Sequence, residues 1–108
     1  RVVLTNGNID WILSSDEKTH HCALEKLQAC AGYALCRQSA EGETLQAFLG
    51  NGTQLETKGV SIRTDLPANV LLLKQNGKWM YTATAPCRVI VGKKKYTLSV
   101  ANVLTVLK

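Results

Sequence analysis

The side chains best equipped for chemistry here are the adjacent His20-His21-Cys22, then Cys30, Cys36 and, far downstream, Cys87. Thiolates and imidazoles can hold zinc, form disulfides or supply a nucleophile with its base. Structural zinc takes ligands paired at short spacing, about two to four residues apart. The gaps between Cys22, Cys30 and Cys36 are seven and five residues, so no such pair exists. His21 and Cys22 are neighbours in sequence, and neighbours on a helix point about 100° apart, so base and nucleophile do not meet. No phosphate-cradling glycine loop, Gly-x-Ser-x-Gly elbow or metalloprotease motif is present. The expectation is a binding protein without catalytic residues, metal or cofactor.

The cysteines also bear on compartment. On an unbroken helix Cys22 and Cys30 would be about 12 Å apart, beyond the roughly 7 Å a disulfide spans. A bridge from this segment to Cys87 stays open, and with it a secreted, disulfide-tied binding domain. The favoured expectation is buried free thiols in a reducing, cytoplasmic setting. The first residues, Arg1-Val-Val-Leu-Thr-Asn-Gly, lack the charged and apolar regions of a secretory signal. No apolar run approaches the roughly 18–20 residues of a membrane span.

Charge gives the second set of candidates. The chain carries a net +5, but residues 1–65 sum to −2, whereas residues 66–108 hold seven Lys/Arg and no Asp or Glu. Such a segment can sustain a positive potential that attracts a polyanion. Within it stand Lys74, Lys78, Trp79, Tyr81, Arg88, Lys93, Lys94, Lys95 and Tyr96. In a strand starting at Lys78, Trp79 and Tyr81 share one face. Single-strand binders use such rings to stack bases while nearby cations follow the phosphates. The competing reading puts Trp79 and Tyr81 in the core.

These residues need elements to position them. A length of 108 residues suits one domain, 1–108. Val2–Leu4 and Ile9–Leu13 can form an opening hairpin across Asn6-Gly7. Ser14 followed by Glu17 fits a capping box, and the Ala, Leu, Glu, Lys and Gln that follow predict a helix over about 16–31, ending near Gly32. From Glu43 onward the segments are short, β-branched and divided by Gly50-Asn51-Gly52, Gly59, Leu66-Pro67, Asn76-Gly77, Ala85-Pro86 and Gly92. Asn51-Gly52-Thr53 is a formal glycosylation acceptor, read here as a turn. Asn76-Gly77 suits the two-residue turn that matches hairpin twist, pairing 70–75 with 78–84. The stretch 101–107 reads as a last strand or a short helix. The expected fold is α+β but mainly β: a small antiparallel barrel or strongly bent sheet, OB-like or SH3-like, with one N-terminal helix packed on it.

The run Met80-Tyr-Thr-Ala-Thr-Ala-Pro-Cys-Arg-Val-Ile-Val91, followed by Lys94-Lys-Tyr-Thr-Leu98, resembles the middle of coronavirus nonstructural protein nine. That family has a strand, a Pro-Pro-Cys-basic turn and a Lys-Tyr-Leu-Tyr strand, and a similar order of cysteines. The resemblance covers about 20 residues, and Ala85 stands where the family has its first proline. It implies a small barrel, single-stranded RNA binding, homodimerisation and a place in viral replication.

Composition and resemblance together favour a small basic module that binds single-stranded RNA or DNA through the cations and rings named above. A protein-interaction or self-assembly domain is the alternative, with the apolar tail 100–107 or the cysteine-bearing segment as its interface.

Overall fold

The computed structural model describes residues 1–5, 7–14, 21–24 and 26–107. All regular elements among them are strands: β1 (Val2–Thr5), β2 (Asn8–Ser14), β3 (His21–Leu24), β4 (Leu27–Gln38), β5 (Thr44–Thr57), β6 (Val60–Gln75), β7 (Lys78–Ala83), β8 (Cys87–Val91), β9 (Lys94–Leu98) and β10 (Ala101–Val106). Every pairing is antiparallel, and the main path runs β1-β2-β4-β5-β6-β7-β10.

Three long strands make this sheet fold over on itself. The later half of β4, the first half of β5 and the later half of β6 lie between β2 and β7, with β10 outside. Their remaining halves lie between β3 and the β8–β9 hairpin. Register shifts at Cys30/Ala31 in β4 and between Leu49 and Gln54 in β5 mark the bend. Here Gly52 is indispensable: a Cβ added to it would sit 2.4 Å from the Ala31 Cβ and 2.5 Å from the Cys30 carbonyl oxygen. Gly50-Asn51-Gly52 is therefore the fold line of one continuous strand, not a turn between two. Pro67 likewise lies within β6, between its two paired halves.

The two halves enclose one core. Leu49, Leu55, Ile62, Val70, Leu72 and Val89 are fully buried in it, and each such side chain removed from water contributes ~1.5–3 kcal/mol. The Thr57 hydroxyl reaches the Cys36 sulfur at 3.0 Å, and the Thr44 hydroxyl donates to the Lys58 carbonyl at 2.6 Å. The sheet is strongly bent, as expected, but it does not close into a barrel, since its path ends at β1 on one side and β10 on the other.

The helix expected over 16–31 is corrected. Residues 21–24 and 27–31 belong to the β3–β4 hairpin, and 15–20, with the proposed cap and His20, lie outside the described residues. Ala29 and Ala31 are good helix formers, yet here they are buried on the inner face of β4, as are Ala34 and Cys36 beyond them. The bulge moves the buried positions from 27, 29 and 31 to 34, 36 and 38. The resulting step of three resembles a helical period. With no helix, the 12 Å separation argued for Cys22 and Cys30 also falls. Cys30 stands opposite His21, and Cys22 opposite Ala29.

Other expectations are met. The opening hairpin pairs Val2 with Trp11 and Thr5 with Asn8. Asn76 and Gly77 have φ of 52° and 77°, the left-handed pair that a tight hairpin turn demands, and Gln75 pairs with Lys78 across them. The tail 101–106 is a strand.

Candidate functional site

Four connections meet at one end of the bent sheet. The 39–43 loop leads into β5, and turns at 58–59, 76–77 and 92–93 join the strands that follow. Between them lies an open trough of about 300 Å³, whose lining includes Lys58, Val60, Lys74, Trp79 and Val91. Backbone hydrogen bonds hold its walls together. The Gly92 N–H donates to the Gly59 carbonyl at 2.8 Å, and the Leu107 N–H to the Trp79 carbonyl at 3.0 Å. The first joins the β8–β9 turn to the β5–β6 turn, and the second ties the tail to β7.

Local pairing decides which side chains enter. Lys74 and Trp79 are partners across the β6–β7 hairpin and share the inward face with Leu72 and Tyr81. Being the last inward pair before the turn, they leave the core and reach its mouth. Lys93 and Lys94 follow Gly92 in the β8–β9 turn, and both are exposed. Lys78 precedes Trp79, so strand alternation turns it to the outer face beside the same turn.

The electrostatics of this end are cationic but not unopposed. Lys74 forms an ion pair with Glu43 of the loop. Glu41 and Glu43 are the carboxylates on these connections, against Lys58, Lys74, Lys78, Lys93 and Lys94. Exposed pairs of this kind are worth only ~0–1 kcal/mol, so an incoming phosphate can replace the carboxylate at little cost.

The remaining predicted residues go elsewhere. Tyr81 is 6% exposed and its hydroxyl donates to the Ser99 carbonyl at 3.0 Å, so it is core and offers no stacking surface. Trp79 is intermediate: it packs on the core yet lines the trough. Tyr96 is half-buried against the core. Arg88 and Lys95 lie on the outer face of β8 and β9, in a shallow depression with Arg63. Arg63 and Arg88 are direct cross-strand partners, a repulsive placement offset by carboxylates. Arg63 bonds Glu56 at 3.3 Å, and Arg88 bonds Asp65 at 3.2 Å. Among the described residues, the cations of the last two-fifths of the chain thus divide between two surfaces, joined by the 92–93 turn and the start of β9.

Lys58 was not among the predicted residues, because it lies in the acidic part of the sequence. Its signal was local: Lys58-Gly59 separates two β-rich segments, and such a turn must lie at a sheet end.

Cys36 and Cys87 supply no reactive group at this site. Burial pushes the Cys36 thiol above its ordinary value, with hydrogen bonds from Thr57 and Thr44 opposing, and burial likewise raises Cys87. Both are free thiols shut inside the core. Among the described residues no three His, Cys, Asp or Glu side chains gather as a metal ion would require. Neither His20 nor the side chains of His21 and Cys22 fall within the described residues. Among the described residues no helix is long and apolar enough to cross a membrane.

Comparison with protein-family models, with curated proteins and with solved structures returns no match for this chain.

Proposed function

We propose that this chain binds single-stranded RNA or DNA through the lysine-rimmed trough. The observation that carries the proposal is the meeting of Lys58 and Lys74, from both halves of the sheet, with the half-buried ring of Trp79 in one trough, where exposed Lys93 and Lys94 follow directly on the lining residue Gly92. Phosphate contacts from these lysines supply affinity without sequence preference. Stacking of one base on Trp79 adds ~1–3 kcal/mol and is available only where a base can leave its own stack, which favours single strands over duplex. Lys78 extends the cationic surface outward from the β6–β7 turn, and Arg88 and Lys95 extend it along β8 and β9. The likeness of residues 80–91 and 94–98 to coronavirus nonstructural protein nine points to the same ligand class, and on it rests the proposed place in a viral replication complex. Binding requires no cofactor and no catalytic step.

The test is fluorescence anisotropy of a labelled random-sequence oligonucleotide titrated at several salt concentrations. Three to five phosphate contacts give a log–log salt slope of about −2 to −3.5. Lys93→Ala with Lys94→Ala should flatten that slope by about 1.4, the share of two contacts on a single strand. Trp79→Leu should weaken binding while leaving the slope unchanged. Binding that ignores salt, or none at low salt, removes the proposal.

A further inference from the structure

Like charges set directly opposite each other on neighbouring strands repel and weaken the pairing that carries them. Strand register nevertheless puts Arg63 of β6 opposite Arg88 of β8, with Thr97 of β9 on the far side of Arg88. Two residues along the same three strands, Ser61, Ile90 and Lys95 form the next row. Both rows alternate with buried Ile62 and Val89, so their side chains face outward. Together they line a shallow depression of about 270 Å³.

The neighbouring carboxylates stand outside it. Glu56 bonds Arg63 at 3.3 Å and Asp65 bonds Arg88 at 3.2 Å, yet no Asp or Glu is among the described residues that line the depression. Among the described residues each guanidinium makes only that side-chain hydrogen bond, out of the five N–H donors it carries. Lys95 forms no ion pair with any of them. The two arginine pairs are exposed and worth only ~0–1 kcal/mol each, so they offset little of the repulsion.

We propose that this depression binds the phosphate monoester of a small organic molecule. Charge and shape select that ligand. Three cations border a hollow with no acid in its lining, which suits a doubly charged oxyanion better than a singly charged one. A guanidinium fork offers two parallel donors to a phosphate, and two forks side by side can engage different oxygens of one tetrahedral group. Lys95 is diagonal to Arg88, within reach for a long side chain, and the Ser61 and Thr97 hydroxyls add donors. Ile90, 38% exposed, gives the hollow an apolar side for the organic part of the ligand. Its volume lies at the small end of ligand pockets, ~300–1,000 Å³, which fits a phosphate with one ring rather than a polymer. It shares no lining residue with the trough, so the proposal stands whether or not a nucleic-acid strand lies there.

A nuclear magnetic resonance titration of the whole chain with phenyl phosphate tests the proposal. Saturable shifts should centre on residues 61–63, 88–90 and 95–97, with dissociation in the millimolar range. Phenyl sulfate, of the same shape but one charge fewer, should bind about five-fold more weakly or worse. Inorganic phosphate, which lacks a ring to meet Ile90, should bind about three-fold more weakly. Arg63→Gln and, separately, Arg88→Gln should each weaken phenyl phosphate by about ten-fold, the loss of a hydrogen bond between charged groups. If either variant fails to fold, the other decides. Lys26→Gln, which removes an exposed charge elsewhere, should leave the affinity unchanged. Four results overturn the proposal: no saturable binding, shifts centred on the trough, equal affinity for phenyl phosphate and either comparator, or an affinity that survives both arginine changes. A loss on Lys26→Gln equal to that on the arginine variants does so too, since net charge alone would then explain the binding.

Discussion

Lys74 and Trp79 stand directly opposite each other across the β6–β7 hairpin, and both side chains reach the trough. The pairing sets a cation opposite an aromatic ring, with only the tight Asn76-Gly77 turn between their strands. Glu43 forms an ion pair with the lysine. In the proposed complex a phosphate would compete with that carboxylate.

Replacing Glu43 with Gln should therefore tighten oligonucleotide binding, by about two- to five-fold, the equivalent of losing an exposed pair worth up to ~1 kcal/mol. The salt slope should steepen by up to ~0.7 as Lys74 becomes free to hold a phosphate. Anisotropy titration of the variant beside the parent measures both. Weaker binding would show that Glu43 orders the trough rather than obstructing it.

Gly52→Ala should destabilise the fold by about 2 kcal/mol or more, because the added methyl meets the Ala31 Cβ and the Cys30 carbonyl of the adjoining strand. At Gly50 the nearest atom to an added methyl is the edge of the Phe48 ring, 2.9 Å away. A side chain yields more easily than backbone, so Gly50→Ala should cost less. Urea unfolding midpoints of the two variants give the comparison. Equal losses would contradict the fold line drawn through Gly52.

Asp10 is 5% exposed, and its hydrogen bonds from Arg37 hold its carboxyl below the ordinary range, against the upward push of burial. A depressed carboxyl contributes stability that is fully present above its unfolded value and lost as pH falls through the folded one. The chain should thus lose stability in the acid range below ordinary carboxyl values. Asp10→Asn should remove that part of the pH dependence and cost ~1–3 kcal/mol at neutral pH, typical of hydrogen bonds to charged groups. Denaturant melts at a series of pH values read both effects.

Cys36 and Cys87 have thiols raised by burial, which gives the opposite sign. Their contribution is fully present below the ordinary thiol value and declines as pH rises beyond it, since the unfolded chain can ionise and the folded chain resists. At neutral pH both should react with an aromatic disulfide reagent only as fast as the structure opens. Rapid modification of the native chain at either residue would contradict their burial.

Much of the fold could be read from residue order because its signals are local. Asn76-Gly77 announced the β6–β7 hairpin, since few pairs tolerate two positive φ angles, and in the sequence Asn6-Gly7 pointed to the pairing of β1 with β2. The stretch 16–31 misled for an equally physical reason. Its Ala, Leu, Glu, Lys and Gln favour a helix in isolation, and the pairing of 27–30 with both β3 and β5, which overrides that preference, is not local to the stretch. At the site, the sequence named Lys74, Trp79, Lys93 and Lys94 but also grouped Arg88 and Lys95 with them, because proximity along the chain does not say which face of a strand is outward.

Residue type and near neighbours alone carried the charge imbalance, the turns at Gly59, Asn76-Gly77 and Gly92, and the β-rich character. Pairing across the fold was needed to bring Lys58 to the same trough as Lys74 and to place Tyr81 in the core. Each depends on pairing between residues distant in sequence: strand register sets which side chains share a face, and the bend at Gly52 sets which turns meet.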